Sequence, residues 1–336
     1  MDRHGHRRVP VREAGGSALT SIPLGPGREF DRIRTMAARW KERARGLGDD
    51  CAILEVGGDR IAVSVDVSVE GVHFRRDWMT PAEIGYRAAA AALSDLAAAA
   101  AEPMAMLLSL GMPAGESDAT LAAIADGVGD AAGDAGALIV GGDMTRSDKL
   151  FIDCCVIGRA SASLGRRGAR PGDRLVVTGT LGGPLAALVA WQAGAEPASE
   201  ARARFVRPAP RHAAARYLES VRARAMIDIS DGLASDAAHL VTAGAVGAAV
   251  AVERIPVMAV AREAAEQAGE PAWRFAARSG EEYELLASIP PDVTDADLAA
   301  APVPITVIGM IEAEPGLRAT DRGTDVTLPM GFDHFR

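Results

Sequence analysis

Residues 64–74 read SVDVSVEGVHF, alternating apolar and polar side chains with the period of two expected of a half-buried β-strand. The same stretch sets Asp66 between Val65 and Val67, then runs into Gly71 and His73. A carboxylate there is costly unless a cation, a hydrogen bond or a metal offsets it, so the strand demands a partner for Asp66. Just upstream, CAILEV (51–56) and RIAV (60–63) are also strand-like, and Gly57-Gly58 between them fits a hairpin turn.

Helix- and strand-like segments alternate outward from this hairpin. FDRIRTMAARW (30–40) spaces Phe30, Ile33, Met36 and Trp40 by three or four, the pattern of an amphipathic helix. Thr80-Pro81, with Glu83 in the capping-box position, starts an alanine-rich helix running to about Ala101. MAMLLSLGMP (104–113) reads as a strand, 117–136 as a helix, ALIVGGDMT (137–145) as a strand entering a glycine turn, and KLFIDCCVIGRA (149–160) as a strand. GRRGARPGD (165–173) is turn-rich and marks a junction. Beyond it come strand RLVVTG, helices over 184–194 and 211–221, the strand-to-helix stretch AMIDISDGLASDAAHLV (225–241), strand AAVAVERIPV and a helix over 257–268. EYELLASI and a closing strand, ITVIGMIEA (305–313), follow. The expectation is an α/β (α+β) chain divided into a flexible extension over 1–27, an N-terminal domain over 28–160 and a C-terminal α/β domain over 161–336.

Composition narrows the function classes. A chain of 336 residues, 49% hydrophobic, can bury a large core. A formal net charge of −9 gives no general attraction to nucleic acid or anionic lipid. Lys41 and Lys149 are the only lysines, and neither stands in a Gly-Lys-Ser/Thr context, so a P-loop is excluded. Three cysteines without metal spacing imply no disulfide framework and fit a reducing, cytoplasmic setting. The alanine-rich run is broken by Ser94 and Asp95 and is not a membrane span, and the basic N-terminus lacks a following apolar signal region.

The chemistry concentrates in acidic turns: GDD (48–50), VD (65–66), GGD (141–143) and DISDG (228–232), joined by LSDL (93–96) with Asp95 inside an almost uncharged helix. Taken singly, each Gly-Asp or Asp-Gly is a turn or a cap, and His73 a satisfied polar residue at a strand end. Together they are a set of carboxylates in apolar segments; GDD, SVD and ISD have no arginine at helical or cross-strand offset, and such clustered acids suit a hard divalent cation with positions left open for phosphate.

In order along the chain, GLGDDCAIL, SVDVSVEGVHF, AAALSDLAAAAAEP, GGDMTRS, GARPGDRLVVTGTLG, AMIDISDGLASDAAHL, SGEEYELL and GFDHF resemble the thiamine-monophosphate kinase family. That family is grouped with aminoimidazole ribonucleotide synthetase, selenide water dikinase and hydrogenase maturation protein E. The resemblance covers about residues 28 to 335 and implies a two-domain PurM-like architecture whose N-terminal domains pair through a shared β-barrel in a homodimer. It implies ATP-dependent phosphorylation of thiamine monophosphate to the diphosphate with several Mg²⁺ ions. Carried over by motif, Asp50, Ser64, Asp66, Asp95, Asp143, Asp228 and Asp231 would be metal ligands, with Asp50, Asp95 and Asp231 catalytic and Asp49 the less certain half of its pair. Gly142, Asp143, Arg166 and Ser230 would line the ATP site, and His73, Glu281 and Phe332 would contact the acceptor. Neither nucleic acid nor membrane is an expected partner.

The sequence departs from the family pattern at Val65, where a hydroxyl is usual and a metal ligand would be lost, and at Met144, Glu282 and Ala92. These leave a diverged or non-catalytic nucleotide- or thiamine-phosphate-binding paralogue as the alternative. Among the related enzymes, the hydrogenase maturation protein would need a terminal cysteine where this sequence ends DHFR. Selenide water dikinase would need a cysteine or selenocysteine and a lysine that residues 1–28 lack. Aminoimidazole ribonucleotide synthetase lacks the EGVHF and GFDHF pattern.

Overall fold

The computed structural model describes residues 22–161 and 164–335. Its first half comprises helix α1 (Arg28–Trp40), strands β1 (Ala52–Val56) and β2 (Asp59–Val69), helix α2 (Pro81–Ala98), strand β3 (Ala101–Met112), helix α3 (Asp118–Ala135) and strands β4 (Leu138–Arg146) and β5 (Phe151–Ala160). The five strands form one sheet in the order β1-β2-β5-β3-β4, antiparallel except for the β3–β4 pair. The second half contains strand β6 (Arg174–Thr178), helices α4 (Gly183–Gln192), α5 (Ser199–Val206) and α6 (His212–Ser220), strand β7 (Ala225–Asp228), helix α7 (Leu233–Gly244) and strand β8 (Gly247–Ala251). These are followed by helices α8 (Ala259–Ala268) and α9 (Ala272–Ala277), strand β9 (Leu285–Ile289), helix α10 (Asp295–Ala299) and strands β10 (Ile305–Glu312), β11 (Gly316–Asp321) and β12 (Thr324–Val326). Its seven strands lie in the order β12-β11-β8-β10-β6-β9-β7.

Helix α2 organises the molecule. Its start is the expected capping box: Thr80 accepts from the Glu83 backbone N–H, and the Glu83 carboxylate accepts from the Thr80 N–H at 2.9 Å. Its small side chains let other elements close in on almost every side, and it packs against β2, β3, β5 and α3 on one hand and α5, α6 and β7 on the other. Gly127 on α3 shows how close: a Cβ there would sit 1.9 Å from the Ala82 carbonyl oxygen. One apolar core runs through both halves, and Trp78 stacks on Trp191 across them with ring centroids 5.3 Å apart.

The strand of the opening quotation is real, but its burial is inverted. Val65 and Val67 lie on the open face of the sheet, Val65 60% exposed, whereas Ser64, Asp66 and Ser68 lie on the face covered by α2. The expected glycine turn at 141–142 is instead continuous strand, paired with β3 through Arg146. A Cβ at Gly142 would meet the Leu108 carbonyl oxygen at 1.8 Å, so glycine serves close approach of β4 to β3 rather than reversal.

Most of the extension over 1–27 lies outside the described residues. From residue 22 the chain is held: the Gly25 N–H donates to His239 Nδ1 at 2.8 Å, and Arg34 donates to the carbonyls of Leu24 and Gly25. Helix α1 then packs toward α7 and the C-terminal tail, with Phe30 edge-on to His239. The hydroxyl-free Val65 removes no ligand from the covered face, because its side chain points the other way.

Candidate active site

Carboxylates from three separate elements converge where α2 meets β7. Asp50, Asp95 and Asp228 each bring an oxygen to within 4.8 Å of the others. They come from the turn before β1, from α2 and from the end of β7, so the cluster exists only when both halves are folded together. Each acid is held by one oxygen. Asp95 accepts from Ser64 Oγ at 2.5 Å, Asp228 accepts from Ser94 Oγ at 2.6 Å, and Asp50 Oδ1 accepts from Arg166 Nη2 at 2.6 Å and Nε at 3.2 Å. Asp50 Oδ2 is buried and has no partner. A buried, unsatisfied carboxylate oxygen beside two more carboxylates suits a hard divalent cation and little else.

The electrostatics carry the same message. Burial, then the charges of Asp228 and Asp50, push Asp95 well above the usual carboxylate range. Burial and Asp50 push Asp228 up to about 7, and burial and Glu281 push Asp66 up to about 7. Burial and Asp50 likewise raise Asp49 to about 6, while its Oδ1 accepts from the Arg166 backbone N–H at 3.0 Å. Burial opposes the charge of Arg166, but pairing with Asp50 outweighs it and raises its pKa. Without a cation, the crevice is a set of like charges that protons must partly neutralise.

Asp231 lies on a flank. Its backbone N–H donates to Asp236 Oδ2 at 3.2 Å, its carbonyl accepts from the Phe332 N–H at 2.9 Å, and burial with the charges of Glu29 and Glu281 raises it to about 7. The Ser230 carbonyl accepts from the Glu281 N–H at 2.6 Å. His73, Glu281 and Phe332 gather on this same flank: the Phe332 and Glu281 N–H groups donate to the carbonyls of Asp231 and Ser230, and His73 lies 5.0 Å from the His334 ring, which meets Phe332 edge-on at 4.8 Å. Burial lowers the pKa of His73, and its Nδ1 accepts from the Val69 N–H at 3.0 Å. Glu281 adopts a left-handed φ of 61°, a strained conformation for a residue with a side chain.

Asp143 is not brought into this cluster. It pairs with Ser109, which pairs with Asp153, which pairs with Val67, placing it on the open face with Val65 and away from Asp66 and Asp95. Gly142 stands beside it on the exposed strand β4.

Several participants escaped the sequence reading. Asp236, which caps the turn entering α7 by accepting from the N–H groups of Asp231 and Gly232, looked like an ordinary first-turn acid. Arg87 and Ser94 sit seven residues apart on α2, close to two turns, and so share a face; a charge placed inside an alanine helix was the available signal for Arg87. Glu282 is fully enclosed, accepting from the Gly182 N–H and lying 3.3 Å from Arg204 Nη2, so its extra methylene serves a buried ion network.

Two packed α/β halves with an acidic crevice between them define the class. Residues 48–160 match the N-terminal domain, and 170–322 the C-terminal domain, of AIR synthase related proteins, and the architecture is PurM-like. The thiamine-monophosphate kinase of Escherichia coli K12 is 37% identical over 323 residues, covering 92% of this chain and 96% of that protein. The structure described as AaThiL complexed with AMPPCP and TMP superposes with a TM-score of 0.83 at 29% identity, covering 92% and 97% of the two chains. Hydrogenase maturation protein HypE of E. coli shares the fold alone, with a TM-score of 0.67 at 23% identity over 81% of this chain and 87% of that one. This chain belongs to the thiamine-monophosphate kinase family.

Proposed function

We propose that the protein transfers the γ-phosphoryl group of ATP to thiamine monophosphate, giving thiamine diphosphate by an in-line, Mg²⁺-assisted displacement. The observation that carries this is the meeting of Asp50, Asp95 and Asp228 within 4.8 Å, with the unpartnered Asp50 Oδ2 among them. The all-oxygen donor set fits Mg²⁺, which when bound would neutralise charge on the phosphate oxygens. Asp50, Asp95 and Asp228 are the central ligands in this reading, with Ser64, Asp66 and Asp231 at the margins. Arg166 fixes Asp50 and, with Ser230, faces the donor nucleotide. His73, Glu281 and Phe332 hold the acceptor, Phe332 offering its exposed ring to a cationic or aromatic heterocycle. The acceptor phosphate is already ionised near neutral pH, so no side chain needs to act as a strong base. The chain's main contribution is alignment and charge balance, which is most of what phosphoryl transfer requires.

The open sheet face supports a homodimer. Leu54, Val65, Val67 and Leu138 are exposed there, Leu138 70%, forming an apolar surface of the kind that a second copy covers. In such a dimer Gly142 and Asp143, on the exposed strand β4, lie toward the second copy rather than toward their own crevice. That β5 ends at Ala160 and β6, in the other sheet, begins at Arg174 supports a division near 160/161. Among the described residues no helix is long and apolar enough to cross a membrane; with the free thiols Cys51, Cys154 and Cys155, this is consistent with work in the cytoplasm. ADP release measured with thiamine monophosphate and Mg²⁺ tests the activity. The Asp95→Asn protein should lose at least about 10²-fold in kcat because a shared metal ligand acts mainly in the transition state. Wild type and variant equally silent while both bind ATP would refute catalysis.

A further inference from the structure

Among the described residues, Arg166 and Arg87 both reach acids of the crevice, and only Arg166 has a role so far. The second, Arg87, is 4% exposed on α2. Its Nη2 lies 2.6 Å from Glu281 and donates to the His73 carbonyl at 3.3 Å, and its guanidinium carbon sits 4.1 Å from the centroid of Phe205 on α5. One side chain of the first half thus holds a strained loop of the second half and an acceptor-side residue of its own. Its Nη1 is buried with no partner. A wholly structural arginine at such depth is expected to use its whole fork, because an unmet buried donor costs stability. Arg87 is also close enough to Asp66 to oppose the rise in that carboxylate's pKa.

We propose that Arg87 is the acceptor-side positioning residue: it fixes the Glu281 carboxylate and offsets the negative charge of Asp66 and Glu281 where a phosphate monoester must enter. The inference rests on the kinase reading above and adds the reason an anion is admitted beside two acids. Arg166 is instead engaged by Asp50 through both Nε and Nη2, whereas Arg87 is the guanidinium that meets Glu281 and the His73 carbonyl. A cation fixed in a dry site favours anion entry by its field, without touching the ligand.

The test compares Arg87→Gln and Arg87→Lys with wild type, measuring kcat and the KM of each substrate by ADP release, with binding of a non-hydrolysable ATP analogue followed by calorimetry. Arg87→Gln should raise the KM for thiamine monophosphate about 100-fold, and Arg87→Lys about tenfold, because the ammonium keeps charge but loses the fork. The KM for ATP and the affinity for the analogue should change less than about threefold. If Arg87→Gln does not fold, Arg87→Lys decides alone. Equal rises in both KM values, or an unchanged acceptor KM in a folded variant, would overturn the role of Arg87 while leaving the kinase reading intact. A wild-type protein that binds the analogue but releases no ADP would instead overturn the kinase reading, and the proposal with it.

Discussion

Replacing Asp66 with asparagine should make the metal-free protein more stable at alkaline pH while disabling it. Burial and Glu281 raise Asp66 from 3.8 to about 7, so the folded state prefers the protonated carboxyl. A raised folded pKa means that the stability held by the protonated form is complete below the unfolded value near 3.8 and is lost as pH climbs through about 7. The interval is about three pH units at about 1.4 kcal/mol each, or about 4 kcal/mol lost above neutrality. Asparagine imitates the neutral carboxyl and escapes that loss. In EDTA, urea unfolding followed by circular dichroism should show Asp66→Asn more stable than wild type by up to about 4 kcal/mol at pH 8, and within about 1 kcal/mol at pH 4.5. Added Mg²⁺ should stabilise wild type more than the variant at pH 8, because a ligand that binds only the folded state stabilises by mass action. The reasoning is refuted if the two proteins share one pH profile, or if the variant is the weaker at pH 8.

Two further outcomes test the flanks. Phe332→Ala should raise the KM for thiamine monophosphate by about tenfold and leave that for ATP nearly unchanged in steady-state kinetics, because the ring belongs to the acceptor end; equal effects would move the tail away from that pocket. Val65→Asp, on the open sheet face, should convert a dimer to monomer in light scattering while far-UV circular dichroism stays native; an unchanged mass would place the interface elsewhere.

Local rules were enough for much of the fold. The capping box at Thr80 and Glu83 and the hairpin at Gly57-Gly58 involve residues next to one another, and the structure carries both. The direction of β2 was not legible, because alternation has two solutions and only the packing of α2 selects the one that buries Ser64 and Asp66. Gly141-Gly142 was misread for a related reason: the sequence shows that a side chain is missing, not whether the space serves a reversal or a neighbouring carbonyl. Helix α5 and strands β11 and β12 gave too short a pattern to separate from loop. In the site, acids in apolar surroundings announced themselves because burying charge is expensive. Asp236 and Arg87 did not, since each mimics a solvated helical charge until another element encloses it.

The two ends of the described chain are tied together beside the acceptor residues. The Arg28 backbone N–H donates to Asp333 at 2.9 Å, Arg28 Nη1 donates to the Phe335 carbonyl at 3.2 Å, and Arg32 lies over the Phe335 ring at 3.8 Å. The wall that carries Phe332 and His334 therefore shares its anchorage with α1, so that disturbing either end disturbs both. Shortening the chain to end at Met330 would take Arg28 and Arg32 of α1 from their partners together with the ring of Phe332.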